Sequence, residues 1–182
     1  MDLDVRNLRI VEYPAEVLRR KAAPVDRITD QVKAVAARMI ELMFEAEGIG
    51  LAAPQVGLPW RLFVAHVPPA EDRSPEAVPP TATASPRVYI NPILSKPEGA
   101  PEVLEEGCLS LPDIRGEVLR PPVITLTAKG LDGQSVTQTG AGLLARCWQH
   151  EIDHLDGVLI IDRFTQLSRM KNRAAVRDLE RG

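Results

Sequence analysis

Between residues 28 and 47 apolar side chains recur at helical spacing. Val32, Val35, Ala36, Met39, Leu42 and Met43 share one face. Thr29 or Asp30 can cap the start, and Gly48 is placed to stop the helix. From Arg61 to Val67 an apolar run with β-branched and aromatic members predicts a strand. Residues 68–87 break both patterns with six prolines. Neither a ladder nor a helix can use so many, so the segment reads as a mobile surface loop. It is not a linker, because neither flank is long enough to be stable alone. A binding segment is the alternative reading. Strands resume at Val88–Asn91, Glu117–Leu119 and Val123–Lys129, and Gly130-Leu131-Asp132-Gly133 signals a hairpin turn into Gln134–Thr139. Gly140 to about Asp156 is helical, with Leu143, Leu144, Cys147 and Trp148 on its apolar face and Gly157 at its end. A polar helix begins at Thr165 or Ser168. Helix, antiparallel strands, then helix describe an α+β domain.

Composition narrows the class. The 182 residues suffice for one domain with a core and fall short of two. A net charge of -3 argues against a nucleic-acid binder or a membrane-surface protein. No apolar run approaches the roughly 20 residues of a spanning helix. The acidic start, Met1 to Asp4, does not resemble a secretory signal or an Arg-rich transit peptide. These features favour the cytoplasm, with an organelle as the setting only if a transit peptide was removed. Two cysteines, Cys108 and Cys147, could form one disulfide. A reducing cytosol disfavours that, and a thiol near paired histidines is more often a metal ligand or reactive group.

The strongest chemical signal is His150-Glu151-Ile152-Asp153-His154. Two histidines four residues apart lie about 40° apart around a helix, so both imidazoles can reach one ion. Glu151 between them can reach a water on that ion, the HExxH arrangement of metal-assisted hydrolases. The bland alternative is a chance match on a surface helix. A third ligand is missing downstream, since the extended pattern HExxHxxGxxH fails at Ile160 and Glu180 is the only later glutamate. Upstream, Glu106-Gly107-Cys108-Leu109-Ser110 places a thiol in a turn-like segment before a strand. A Cys-His-His set would leave one coordination position open. Glu106 and Arg115 either orient this segment or form a simple surface pair. His66 carries no assigned role.

Together, Gly48-Ile49-Gly50-Leu51-Ala52-Ala53-Pro54-Gln55, Glu106 to Ser110 and His150 to His154 resemble the three motifs of the peptide deformylase family, in that family's order. Val56-Gly57 and Leu155-Asp156-Gly157 agree at the flanks, and the resemblance runs from about Arg9 to Phe164. It implies an α+β fold with small antiparallel sheets packed around a central HExxH-bearing helix. It also implies one divalent metal, generally Fe2+ with Zn2+, Ni2+ or Co2+ as substitutes, and hydrolysis of N-formylmethionyl nascent peptides. By position, Cys108, His150 and His154 match the ligands and Glu151 the acid/base. Gln55 and the Leu109 N–H match the groups that stabilise the oxyanion. Ile49, Leu143 and Cys147 match the methionine pocket, and Gly50 and Gly107 match positions that meet the peptide. The resemblance allows a transient ribosome association and offers no nucleic-acid motif. The chain departs from the pattern in the length of its proline-rich stretch. Its polar last helix looks like the common bacterial form. On this reading residues 1–182 form one domain, and the alternatives are another HExxH peptidase or a non-catalytic metal-binding protein.

Overall fold

Alternation along one strand sets the layers of the molecule. The structure, a computed structural model, describes residues 3–181. The first helix, α1, is Asp30–Glu45. It is followed by strands β1 (Gly50–Ala52), β2 (Leu62–Ala65) and β3 (Arg87–Glu98). Along β2, Leu62 and Val64 join Val35, Met39 and Met43 of α1 in one core cluster. Phe63 and Ala65 point the opposite way and join Leu144, Trp148 and Ile152 of a second helix, α2 (Gly142–Leu155). Period-two alternation thus places a helix on each face of the strand. Each fully buried large side chain contributes about 1.5–3 kcal/mol.

The remaining elements are β4 (Glu102–Cys108), β5 (Leu111–Arg120), β6 (Val123–Lys129), β7 (Ser135–Ala141), α3 (Ile160–Arg163) and α4 (Gln166–Arg181). The main sheet runs β1-β2-β3-β6-β7, and β4-β5 form a separate hairpin. The pairings between these strands are antiparallel. The architecture is the expected α+β arrangement of small antiparallel sheets around the HExxH-bearing helix, α2. No described helix is long and apolar enough to cross a membrane.

Several boundaries differ from the sequence reading, each for a physical reason. The left-handed residue ending α1 is Glu47, at φ 53°, and not Gly48. At Gly48 a Cβ would lie 2.8 Å from the end of the Leu109 side chain, which would have to shift to admit it. Helix α2 starts two residues later than expected. Gly140 belongs to β7, and the Trp148 ring lies over it, 2.6 Å from where a Cβ would be. Strand β3 continues past Asn91 through two prolines, with register shifts that accommodate them. Strand β4 is absent from the sequence reading because Glu102-Val103-Leu104-Glu105-Glu106-Gly107 has little apolar alternation. Cys108 consequently ends a strand, and the turn is Leu109–Ser110. Thr165 caps α4, its hydroxyl accepting from Ser168 N at 3.3 Å.

Residues 68–86 form neither helix nor strand, and in the return limb Ala82 and Thr83 are buried although their neighbours lie at the surface. Ala82 is 2% exposed, inside the cluster that contains Trp148. Thr83 N donates to Val67 O, the Thr83 hydroxyl accepts from Val67 N, and Ala141 N donates to Pro80 O. Small residues fill single gaps here, so no periodic face announces them. The N-terminal segment is a similar strap. Val11 N, Tyr13 N and Ala22 N donate to the carbonyls of Gln55, Ser110 and Leu155, one near each of the three motifs.

Candidate active site

Helix α2 carries Arg146, His150 and His154 at four-residue spacing, so they rise along one face. The Nε2 atoms of His150 and His154 are 3.2 Å apart, and Cys108 Sγ is 3.3 Å from His154 Nε2. All three donor atoms lie within 4.8 Å of one another. Two imidazole nitrogens at about 2.0–2.1 Å from one tetrahedral ion would stand roughly 3.3 Å apart, so the spacing fits a metal. The donor set suits one as well: a thiol and two imidazoles with converging lone pairs have little reason to meet otherwise. Ile160, where a downstream ligand was sought, lies in a third core cluster with Leu18 and Val118. Cys108 and Cys147 are both free thiols.

Glu106, at the end of β4, orients His150. Its Oε2 is 3.1 Å from His150 Nδ1, which leaves Nε2 facing Cys108. Arg120 binds both oxygens of the same carboxylate, at 2.7 and 2.9 Å, and reaches Asp153 on α2 at 2.8 Å. Burial alone would raise the Glu106 pKa, but the bonds from His150 and Arg120 outweigh it and hold the carboxyl well below its usual range. For His150, burial lowers the pKa and the bonds to Cys108 and Glu106 overcome it, so the result is raised. His154 has no partner at Nδ1, and burial lowers its pKa. Arg115 does not join this network; its side chain packs beside Gly107.

A cavity of about 430 Å³ opens over these groups. Its lining brings together Ile49, Gly50, Gln55, Gly107, Cys108, Leu109, Leu143, Cys147, His150 and Glu151. Every residue that the sequence singled out for the site lines it except His154, which lies beneath at 1% exposure. Glu151 is 3% exposed, and its Oε2 has no hydrogen-bond partner. Burial raises its pKa to about 7, so the group can both take and return a proton near neutrality. Gly50 leaves room for it: a Cβ there would lie 2.7 Å from Glu151 Cδ. Gln55 also makes a local backbone bond, accepting from Ala52 N at 2.9 Å through Oε1. That bond turns its NH2 toward Cys108 Sγ, at 3.6 Å, and Ser110 Oγ, at 3.2 Å. Cys147 instead donates toward Ile49 O at 3.4 Å, and burial pushes its thiol pKa up, as for an inert wall residue.

Sequence reasoning missed Arg146, which also lines the cavity. An arginine one turn before His150, on the face of α2 that carries both histidines, was the available signal. His66, left unassigned, hydrogen-bonds Thr83 and packs edge-on against Phe44.

A hydrolytic site on an HExxH helix, with a thiol supplied from a separate hairpin, defines a metal-dependent hydrolase. The family model for polypeptide deformylase matches residues 7–170. A peptide deformylase of Novosphingobium aromaticivorans is 41% identical, over 94% of this chain and 95% of that protein. One from Afipia carboxidovorans is 45% identical over 88% of each. Among solved structures, a plant peptide deformylase superposes with a TM-score of 0.87 at 34% identity, covering 100% of this chain and 92% of that one. The enzyme of Synechococcus elongatus, in complex with actinonin, gives 0.81 at 35% identity, covering 99% and 90%. The chain belongs to the polypeptide deformylase family. It is an enzyme of that metal-dependent family, whose reaction is hydrolytic removal of an N-terminal formyl group.

Proposed function

We propose that this chain, as a single deformylase domain, takes the formyl group from the N-terminal formylmethionine of nascent polypeptides and releases formate. The observation that supports this reading is the convergence of one thiol and two imidazoles beside an unpartnered buried carboxylate, under a cavity wide enough for a peptide end. Cys108, His150 and His154 would hold one divalent ion, which supplies Lewis acidity and makes water a competent nucleophile at neutral pH. Fe2+ suits a thiolate with two imidazoles, and Zn2+, Ni2+ or Co2+ would substitute.

A formamide is unactivated, so the protein must manage the proton and the developing negative charge. Glu151 takes a proton from the attacking water and returns it to the leaving amine. Gln55 Nε2, already turned into the site, and the Leu109 N–H donate to the oxyanion, and one such donor is typically worth about 3 kcal/mol. Ile49, Leu143 and Cys147 enclose the methionine side chain, while Gly50 and Gly107 let the peptide backbone approach. The setting is the cytoplasm, with transient contact to the ribosome as chains emerge. The test is formate release from a formyl-Met peptide by anaerobically prepared, iron-loaded protein. Release by the loaded protein but not by the metal-free one is expected. No formate from either would overturn the reading.

A further inference from the structure

The candidate ligands come from two bodies that share no ladder among the described residues. Cys108 ends the β4-β5 hairpin, and both histidines ride on α2. Their spacing therefore depends on side chains that tie hairpin to helix. One guanidinium makes three such ties. Arg146, 7% exposed, donates through one terminal nitrogen to Glu106 Oε1 at 2.8 Å and to Val118 O at 3.0 Å. Its other terminal nitrogen donates to Glu102 O at 2.8 Å. The side chain thus grips both strands of the hairpin and the carboxylate that orients His150. A planar fork with fixed donor directions can do this, whereas an ammonium offers one nitrogen for three separated acceptors. Arg120 works from the other side, since it starts on the hairpin and reaches Asp153 on the helix. Arg146 is the tie that begins on the histidine helix itself, one turn before His150.

We infer that Arg146 is a positioning residue for the metal centre: it sets the thiol of Cys108 against the two imidazoles by locking the hairpin to α2. This rests on reading Cys108, His150 and His154 as the ligands. Its consequence is that removing the fork loosens the ligand set, although Arg146 itself touches no ligand atom in the bonds given above. Loss of a supporting group of this kind typically weakens metal affinity by about 10–100-fold.

Cobalt(II) is the probe, because its thiolate charge-transfer band reports sulfur ligation and its visible bands report coordination geometry. Arg146→Met keeps the stem in the cavity wall and removes the fork. Cobalt retention against a chelator should fall by about 10–100-fold, and the thiolate band should weaken. Arg146→Lys, which keeps the charge and the apolar contacts, should lose retention in the same direction by a smaller factor. A merely structural role would lower the melting temperature of the metal-free variant and leave the band of the loaded protein unchanged. Undiminished retention with an unchanged band in folded Arg146→Met would overturn the inference. Where Arg146→Met does not fold, the same result in Arg146→Lys overturns it. Wild-type protein that binds cobalt without a thiolate band would remove the ligand set and this inference together. Formate release by the wild type judges the deformylase reading separately.

Discussion

Helices α1 and α2 are close in length, at 16 and 14 residues, and are built on different terms. The six buried side chains of α1 are all apolar. Eleven are buried on α2, and Arg146, Gln149, Glu151, Asp153 and His154 are among them. A buried polar group is costly unless it is hydrogen-bonded. Arg146 meets three acceptors, Gln149 meets the carbonyls of Pro121 and Ala145, and Asp153 is held by Arg120 and Arg163. On α2, Glu151 Oε2 beside the cavity has no partner, nor do Trp148 Nε1 and His154 Nδ1, the latter on the side of its ring turned away from Cys108 and His150. A helix like α1 stabilises the fold and is replaceable by any well-packed apolar stripe. On the proposed reading, a helix like α2 holds groups in place for reaction and gives up some stability to do so.

The contrast is sharpest at Glu151. Glu151→Gln keeps the volume and removes the basicity, so turnover should fall by about 10²–10⁴-fold. Metal content should remain near one ion per chain, and the melting temperature should hold or rise. Loss of the metal would make Glu151 a ligand, and a marked loss of stability would erase the contrast with α1. The converse substitution is Met39→Ala in α1, at a fully buried position. It should destabilise the fold by about 2–5 kcal/mol in denaturant titration and leave kcat of the folded fraction unchanged. A specific drop in kcat would show that α1 also shapes the site.

Gly50→Ala joins the two regions, since β1 touches both cores. The added methyl meets the Glu151 carboxylate. Overpacking of this kind costs about 1–3 kcal/mol, and displacement of the carboxylate should lower turnover by roughly tenfold. Normal turnover with normal stability would mean that Glu151 moves aside freely. The smallest effect belongs to the start of α1, where the Thr29 hydroxyl accepts from Val32 N at 3.3 Å. Thr29→Ala should cost about 1 kcal/mol with activity intact. A change in kcat/KM of the folded protein would break the separation between the helices.

Local pattern made α1 legible nearly to its ends, because its apolar stripe and its cap are features of a few neighbouring residues. The same holds for the pairing of His150 with His154, which needs only helical spacing. Strand β4 was illegible, since its residues lack alternation and it is a strand only because β5 lies beside it. The burial of Ala82 and Thr83 in the proline-rich segment was illegible for the same reason. Ala82 is core because of the space it fills beside α2, not because of its neighbours in sequence.

By itself the sequence determined the chemistry on offer: two histidines and a glutamate on one helix, a thiol after a glutamate and a glycine, and an amide at the end of a glycine-rich run. Those depend on residue type and short spacing, which covalent geometry and helical pitch carry without help. Only the tertiary structure decided that Cys108, 46 residues before His154, would stand 3.3 Å from it. It alone set the amide of Gln55 toward that thiol, and it alone bound the hairpin to α2 through Arg120 and Arg146. Contacts at such separation arise from the burial of whole faces and from long side chains finding acceptors, and no local pattern encodes them.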